Sequence, residues 1–154
     1  MSTRLNEGDP APDFSLRSQD GKEMTIHGLI GRNIVVFFYP KDFTMGCTAE
    51  TRAFGENYSA LTGLGAEVIG ISSDSTDSHE KFAAECGVSF PLLSDEGGKV
   101  RELYGVKSSM GLFPGRVTFV IDRKGVVRKI FASQLSPKKH VSQALDALRS
   151  LEVT

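Results

Sequence analysis

The run Asn33 to Tyr39, NIVVFFY, constrains the fold more than any other stretch of the chain. β-branched and aromatic residues follow one another without polar alternation, so both faces of this strand must be covered, as in a mainly parallel sheet with helices on either side. Pro40 cannot donate to a strand ladder and ends the run. A second run of this kind, Glu67 to Ile71, is a second buried strand, and the helical composition between them, Gly46 to Thr62, makes the crossover. Phe54, Tyr58 and Leu61 share one face of that helix by the i, i+4, i+7 rule.

The flanking segments complete the order. Phe14 to Arg17 and Lys22 to Ile26 bracket Asp20-Gly21, a pair suited to the positive φ of a hairpin turn. Asp77 to Cys86 reads as a short helix, with Ser78 or Asp77 as N-cap and Gly87 after its end. Phe90 to Leu93 is a short strand and Val100 to Tyr104 a short helix. Arg116 to Ile121 and Val126 to Ala132 form a hairpin around Asp122 to Gly125, and Pro137 to Leu151 closes the chain as an amphipathic helix capped by Ser136. The expected fold is α/β, a single thioredoxin-like domain over 1–154, with a mixed central sheet flanked by helices and an N-terminal β-hairpin. A flavodoxin-like parallel sheet is the competing topology, and the C-terminal hairpin argues against it.

The chain's 154 residues are enough for one core, which at this size buries about two-thirds of the unfolded surface. A formal charge of −1, with no Lys/Arg run longer than Lys138-Lys139, lacks the basic face that nucleic acid requires. The first residues, MSTRLNEGDPAPDF, contain no apolar core for a signal, and Ile34 to Phe38 is too short to cross a bilayer. The expectation is a cytoplasmic protein with no membrane partner. His27, His79 and His140 form no ligand spacing with either cysteine, so neither a metal nor a bound cofactor is expected. Cys47 and Cys86 are the two cysteines, and in a reducing compartment such residues are free or redox-active more often than bridged.

Cys47 closes the segment Pro40-Lys41-Asp42-Phe43-Thr44-Met45-Gly46-Cys47, where a buried strand gives way to a helix. Unpaired amide groups and the positive end of the helix dipole favour a thiolate there, and a thiolate is a nucleophile. Taken alone, Cys47 reads first as a small buried hydrophobe, Thr44 as a helix cap and Arg116 as a solvated strand end.

Taken together, Pro40-x-x-x-Thr44-x-x-Cys47 and a downstream Arg on a strand resemble the active-site motif of the peroxiredoxins. FFYPKDFTMGCTAE resembles the bacterioferritin-comigratory or Q-type branch, and APDFSL, VIGISSD, FPLLSD and RVTFVIDRKG extend the similarity nearly end to end. The resemblance implies that Cys47 attacks peroxide and becomes a sulfenic acid. It implies that Thr44 holds thiolate and substrate oxygen together, that Pro40 shields the thiolate, and that Arg116 stabilises the charge on both. Glu50, one helical turn on, matches an acidic position of the family that orients Arg116 or another donor.

The pattern departs from the family at three positions. Many Q-type relatives carry a resolving cysteine five residues after the first, where this chain has Arg52. A second group places it in the next helix, where Cys86, nearer the C-terminal end of that helix than expected, is a candidate; the alternative is that Cys86 only fills the core face of a short helix, with the sulfenic acid reduced directly by an external thiol. Met45 stands where many relatives have Pro, which leaves that turn less restrained. The expected activity is reduction of hydrogen peroxide and small organic hydroperoxides, with thioredoxin or a similar dithiol protein as reductant, by a monomer or weak homodimer. A peroxide-sensing or chaperone-like binding protein on the same fold is the alternative, as is a thiol-disulfide oxidoreductase, although no C-x-x-C is present.

Overall fold

The computed structural model describes residues 5–106, 116–133 and 136–152. The chain enters through the predicted hairpin, β1 (Ser15–Ser18) and β2 (Glu23–Thr25), which turns through Gly21 at φ +78°. Next come β3 (Asn33–Phe38), α1 (Met45–Glu56), α2 (Tyr58–Gly63), β4 (Ala66–Ser72) and α3 (Thr76–Cys86). β5 (Leu92–Ser94), α4 (Lys99–Leu103), β6 (Val117–Ile121), β7 (Val127–Ala132) and α5 (Pro137–Glu152) complete it.

All strands join one sheet in the order β2-β1-β5-β4-β3-β6-β7, in which β3, β4 and β5 run parallel and the outer pairings are antiparallel. The expected mixed α/β sheet is therefore present. All six residues of β3 are buried, as its unbroken apolar run requires. Val35, Phe37 and Tyr39 face a core closed by α1, α3 and α5 through Phe54, Phe82 and Leu148. Ile34, Val36 and Phe38 face the opposite core, with Phe14, Val100 and Tyr104.

Three predicted boundaries move. The helix expected over Gly46 to Thr62 breaks at Asn57, whose side-chain amide donates to the Ala53 carbonyl at 2.8 Å while its backbone turns to φ −106°, ψ 11°. A side chain that competes for a helix carbonyl in this way favours termination. The N-cap of α3 is Ser75, not Ser78 or Asp77, because the Ser75 hydroxyl accepts the Ser78 amide at 3.1 Å. The strand expected at Phe90 to Leu93 starts only at Leu92, and Phe90 is buried ahead of it against Phe37. Gly87 does end α3, at φ +68°.

Candidate active site

Cys47 lies in the first turn of α1 with no exposed surface. Buried strand β3 delivers the chain to Pro40, and the loop from Lys41 to Thr44 then swings it into the helix. Thr44 stands at the N-cap position in extended conformation, but its hydroxyl caps nothing and donates instead to the Lys41 carbonyl at 3.1 Å. That uses the hydroxyl's single proton and leaves its lone pairs free to accept from an incoming O–H.

Arg116 reaches the same place through sheet register. β3 and β6 pair antiparallel with Phe38 opposite Val117, so the residue before β6 meets the residues after β3. Arg116 is only 6% exposed, which removes the solvated strand end from consideration. Its Nη1 donates to Glu50 Oε1 at 2.8 Å, and its Nη2 lies so close over Gly46 that a Cβ there would stand 2.8 Å away. Burial opposes the charge on Arg116, but the Glu50 carboxyl and the Cys47 sulfur, as charge partners and hydrogen-bond acceptors, more than offset it and raise its affinity for the proton. The guanidinium therefore bridges the thiol and Glu50.

Glu50 is fully buried, and burial pushes its carboxyl up to about 8, with Arg116 pulling the other way. Its Oε1 accepts from Arg116. Among the described residues Oε2 has no hydrogen-bond partner within reach, and it faces His140 Nδ1 at 3.5 Å. His140 Nε2 donates to the Ser133 carbonyl at 2.8 Å, so Nδ1 is an acceptor and takes the Thr118 hydroxyl at 2.7 Å. Burial holds His140 down to about 4; the Ser133 carbonyl opposes this and the Arg116 charge adds to it. His140 therefore adds no positive charge behind Glu50, and the Arg116 guanidinium faces the Cys47 sulfur as well as the Glu50 carboxyl.

The loop is fastened to α3 by Asp42. The Tyr39 hydroxyl donates to Asp42 Oδ1 at 2.6 Å, and Ser78 Oγ and His79 Nδ1 meet Oδ2 at 2.8 and 2.7 Å. The Asp42 amide donates to Asp74 Oδ2 at 2.7 Å. His79 Nε2 donates to the Leu93 carbonyl, so the proton between Nδ1 and Asp42 is shared within a fully buried pair. Asp42, Asp74 and His79 bring ligand-type atoms within 4.8 Å of one another, yet each is already engaged in these bonds. Phe43, next in the loop, takes φ +67°, a conformation few bulky residues adopt, and stacks edge-on against Phe82.

Cys86 is the last residue of α3, partly buried and packed against the same core as Cys47; both thiols are free. It opens into a surface groove lined by Arg52, Gly55, Glu56 and Gly87. The structure thus brings Cys47, Glu50 and Arg116 together, with Thr44 at the N-cap of the same helix and Pro40 where β3 ends, and places Cys86 at the end of α3. Asp42, His79 and His140 were not foreseen. His79 and Phe82 do share the inner face of α3, but only tertiary packing places His140 behind Glu50.

Residues 7–130 match the AhpC/TSA family. The chloroplastic peroxiredoxin Q of Populus jackii is 44% identical over 149 residues, 96% of this chain and 70% of that protein. Peroxiredoxin Q of Sedum lineare is 43% identical over 150 residues, covering 97% and 81%. Among solved structures, peroxidoxin BcpB from Mycobacterium tuberculosis superimposes with TM-score 0.88 at 34% identity, over 96% of this chain and 99% of that one. The bacterioferritin comigratory protein of Xanthomonas campestris, described for its alkyl peroxide reduction, superimposes with TM-score 0.85 at 28% identity, over 95% and 99%. With a buried thiol under an arginine at the start of a helix, and this similarity running nearly end to end, the chain belongs to the peroxiredoxin family, in its bacterioferritin-comigratory, Q-type branch, and is a thiol-dependent peroxidase.

Proposed function

We propose that Cys47 is the peroxide-reducing thiol and Cys86 its resolving partner, in a cycle that reduces hydrogen peroxide and small organic hydroperoxides. The observation that carries this reading is the Arg116 guanidinium, which joins the Cys47 sulfur to Glu50 across the first turn of α1. The thiolate attacks the nearer peroxide oxygen; the O–O bond breaks, sulfur gains the hydroxyl as sulfenic acid, and the departing oxygen takes a proton to leave as water or alcohol. Arg116 stabilises the thiolate and then the charge that builds on the leaving oxygen, where water is excluded and a fixed cation acts most strongly. Thr44 accepts from the peroxide O–H, and Pro40, half-buried, screens the sulfur.

Cys86 then attacks the sulfenic sulfur and expels hydroxide, forming an intramolecular disulfide. This assignment is supported by its place on α3, on the inner face that also carries His79 and Phe82, the residues that touch the Cys47 loop. Thioredoxin or a similar dithiol protein completes the cycle, and the chain acts as a monomer or weak homodimer in the cytosol; sizing by light scattering and immunodetection in fractionated cells test the last two points.

Intact mass after one equivalent of hydrogen peroxide, with a dimedone-type trap, tests the chemistry. Wild type is expected to lose two hydrogens, and Cys86→Ser to accumulate the trapped sulfenic acid. Trapped sulfenic acid in both proteins would reduce the cycle to one cysteine, and no reaction at Cys47 would end the proposal.

A further inference from the structure

α3 ends at Cys86 in surroundings that disfavour a thiolate. The C-terminal end of a helix carries partial negative charge, and Glu85 and Glu56 flank the groove into which Cys86 opens. The one cation among the residues lining that groove is Arg52, on α1. Its Nη2 donates to the Glu85 carbonyl at 3.2 Å, which holds the guanidinium at the end of α3 beside the thiol, and the side chain remains about half exposed (51%).

We propose that Arg52 is a positioning residue for the resolving step, holding a positive charge against the sulfur of Cys86 so that it attacks the Cys47 sulfenic acid as a thiolate. The inference rests on the reading of Cys86 as the resolving cysteine. In the step itself the Cys86 thiol loses its proton and its sulfur bonds to the Cys47 sulfur. The S–O bond breaks, and hydroxide leaves and takes up a proton as water; Cys86 is oxidised and the sulfenic sulfur reduced. Burial pushes the Cys86 thiol up, and the charges of Asp42 and Glu85 add to that, while Arg52 opposes it through its charge and a hydrogen bond. Removing Arg52 leaves only the groups that suppress the thiolate.

The experiment compares wild type with Arg52→Gln and Arg52→Lys after a one-equivalent pulse of hydrogen peroxide, quenched at intervals from pH 6 to 9 and read by intact mass. Cys47 oxidation should proceed at the wild-type rate in all three. Disulfide formation in Arg52→Gln should slow about fivefold near pH 7, with its pH midpoint displaced upward by about half a unit or more, and Arg52→Lys should recover most of both. A merely structural role for Arg52 would not move the midpoint. Disulfide formation at the wild-type rate and midpoint in Arg52→Gln overturns the role of Arg52 while leaving Cys86 as resolver. A wild type that forms no Cys47–Cys86 disulfide overturns both.

Discussion

Gly46→Ala isolates the placement of Arg116 from the stability of the fold. A Cβ at position 46 would stand 2.8 Å from Arg116 Nη2, and ordinary contact begins at 3.4 Å, so the guanidinium must retreat by about 0.6 Å. It cannot retreat freely, because Nη1 is fixed to Glu50 at 2.8 Å. For unit charges about 4 Å apart at an effective dielectric of about 20, such a retreat weakens the attraction by about 0.5 kcal/mol. Loss of a charge-assisted hydrogen bond to sulfur adds about 1 kcal/mol or more. Together these slow the reaction of Cys47 with peroxide about tenfold, since about 1.4 kcal/mol is one factor of ten. The helix itself does not lose, because Ala is favoured over Gly in helices, although at this second helical position by less than the roughly 1 kcal/mol of a helix interior. Competition kinetics against a peroxidase of known rate would measure the first effect and thermal unfolding the second. A rate within twofold of wild type, or a loss matched by a falling Tm, would refute the argument.

Glu50 and His140 should imprint opposite pH dependences on stability. The Glu50 carboxyl, raised from 4.5 to about 8, keeps a proton that the unfolded chain releases, so stability falls as pH rises through that window and levels off above it. His140, lowered from 6.5 to about 4, costs stability only as pH falls through its own window. Of this pair, Glu50 alone acts between pH 6.5 and 8, where its contribution should fall by about 2 kcal/mol in wild type and vanish in Glu50→Gln; equal slopes in urea unfolding of the two proteins would contradict this. Asp42→Ala leaves His79 buried without its partner, and unfolding free energy should drop by about 3–5 kcal/mol. A loss below about 1 kcal/mol would show that the pair does not fasten the loop.

The element order was legible because β3 and β4 are apolar without alternation and because Pro40, Gly21 and Gly87 punctuate the chain where backbone geometry demands it. The break at Asn57 was not, since the side-chain bond to Ala53 that ends α1 looks in sequence like any polar residue on an exposed face. The motif around Cys47 marked the candidate residues, while the reason Arg116 stands beside the start of α1 lies in the antiparallel pairing of β3 with β6. Glu50 illustrates the limit: the family resemblance marks it as an acidic residue that orients Arg116 or another donor, but only the packing of α5 across α1 makes it fully buried behind the arginine.

The same packing sets a mechanical condition on the cycle. Cys47 has no exposed surface, whereas in the proposed cycle its sulfur meets both Cys86 and an external reductant, a cycle that requires the first turn of α1 to open once in each turnover. The fastening points are unevenly placed for this. Asp42 is tied to Tyr39, Asp74, Ser78 and His79, and these bonds can persist while the turn beyond moves. Phe43, immediately after, carries a positive φ that costs about 1–3 kcal/mol to maintain. Met45 is 90% exposed, and no side chain caps the helix that begins there. Strain at Phe43 and a weakly held turn after it place the hinge between Asp42 and Cys47. The buried pair behind the hinge keeps the loop registered on α3, the helix that carries the second thiol.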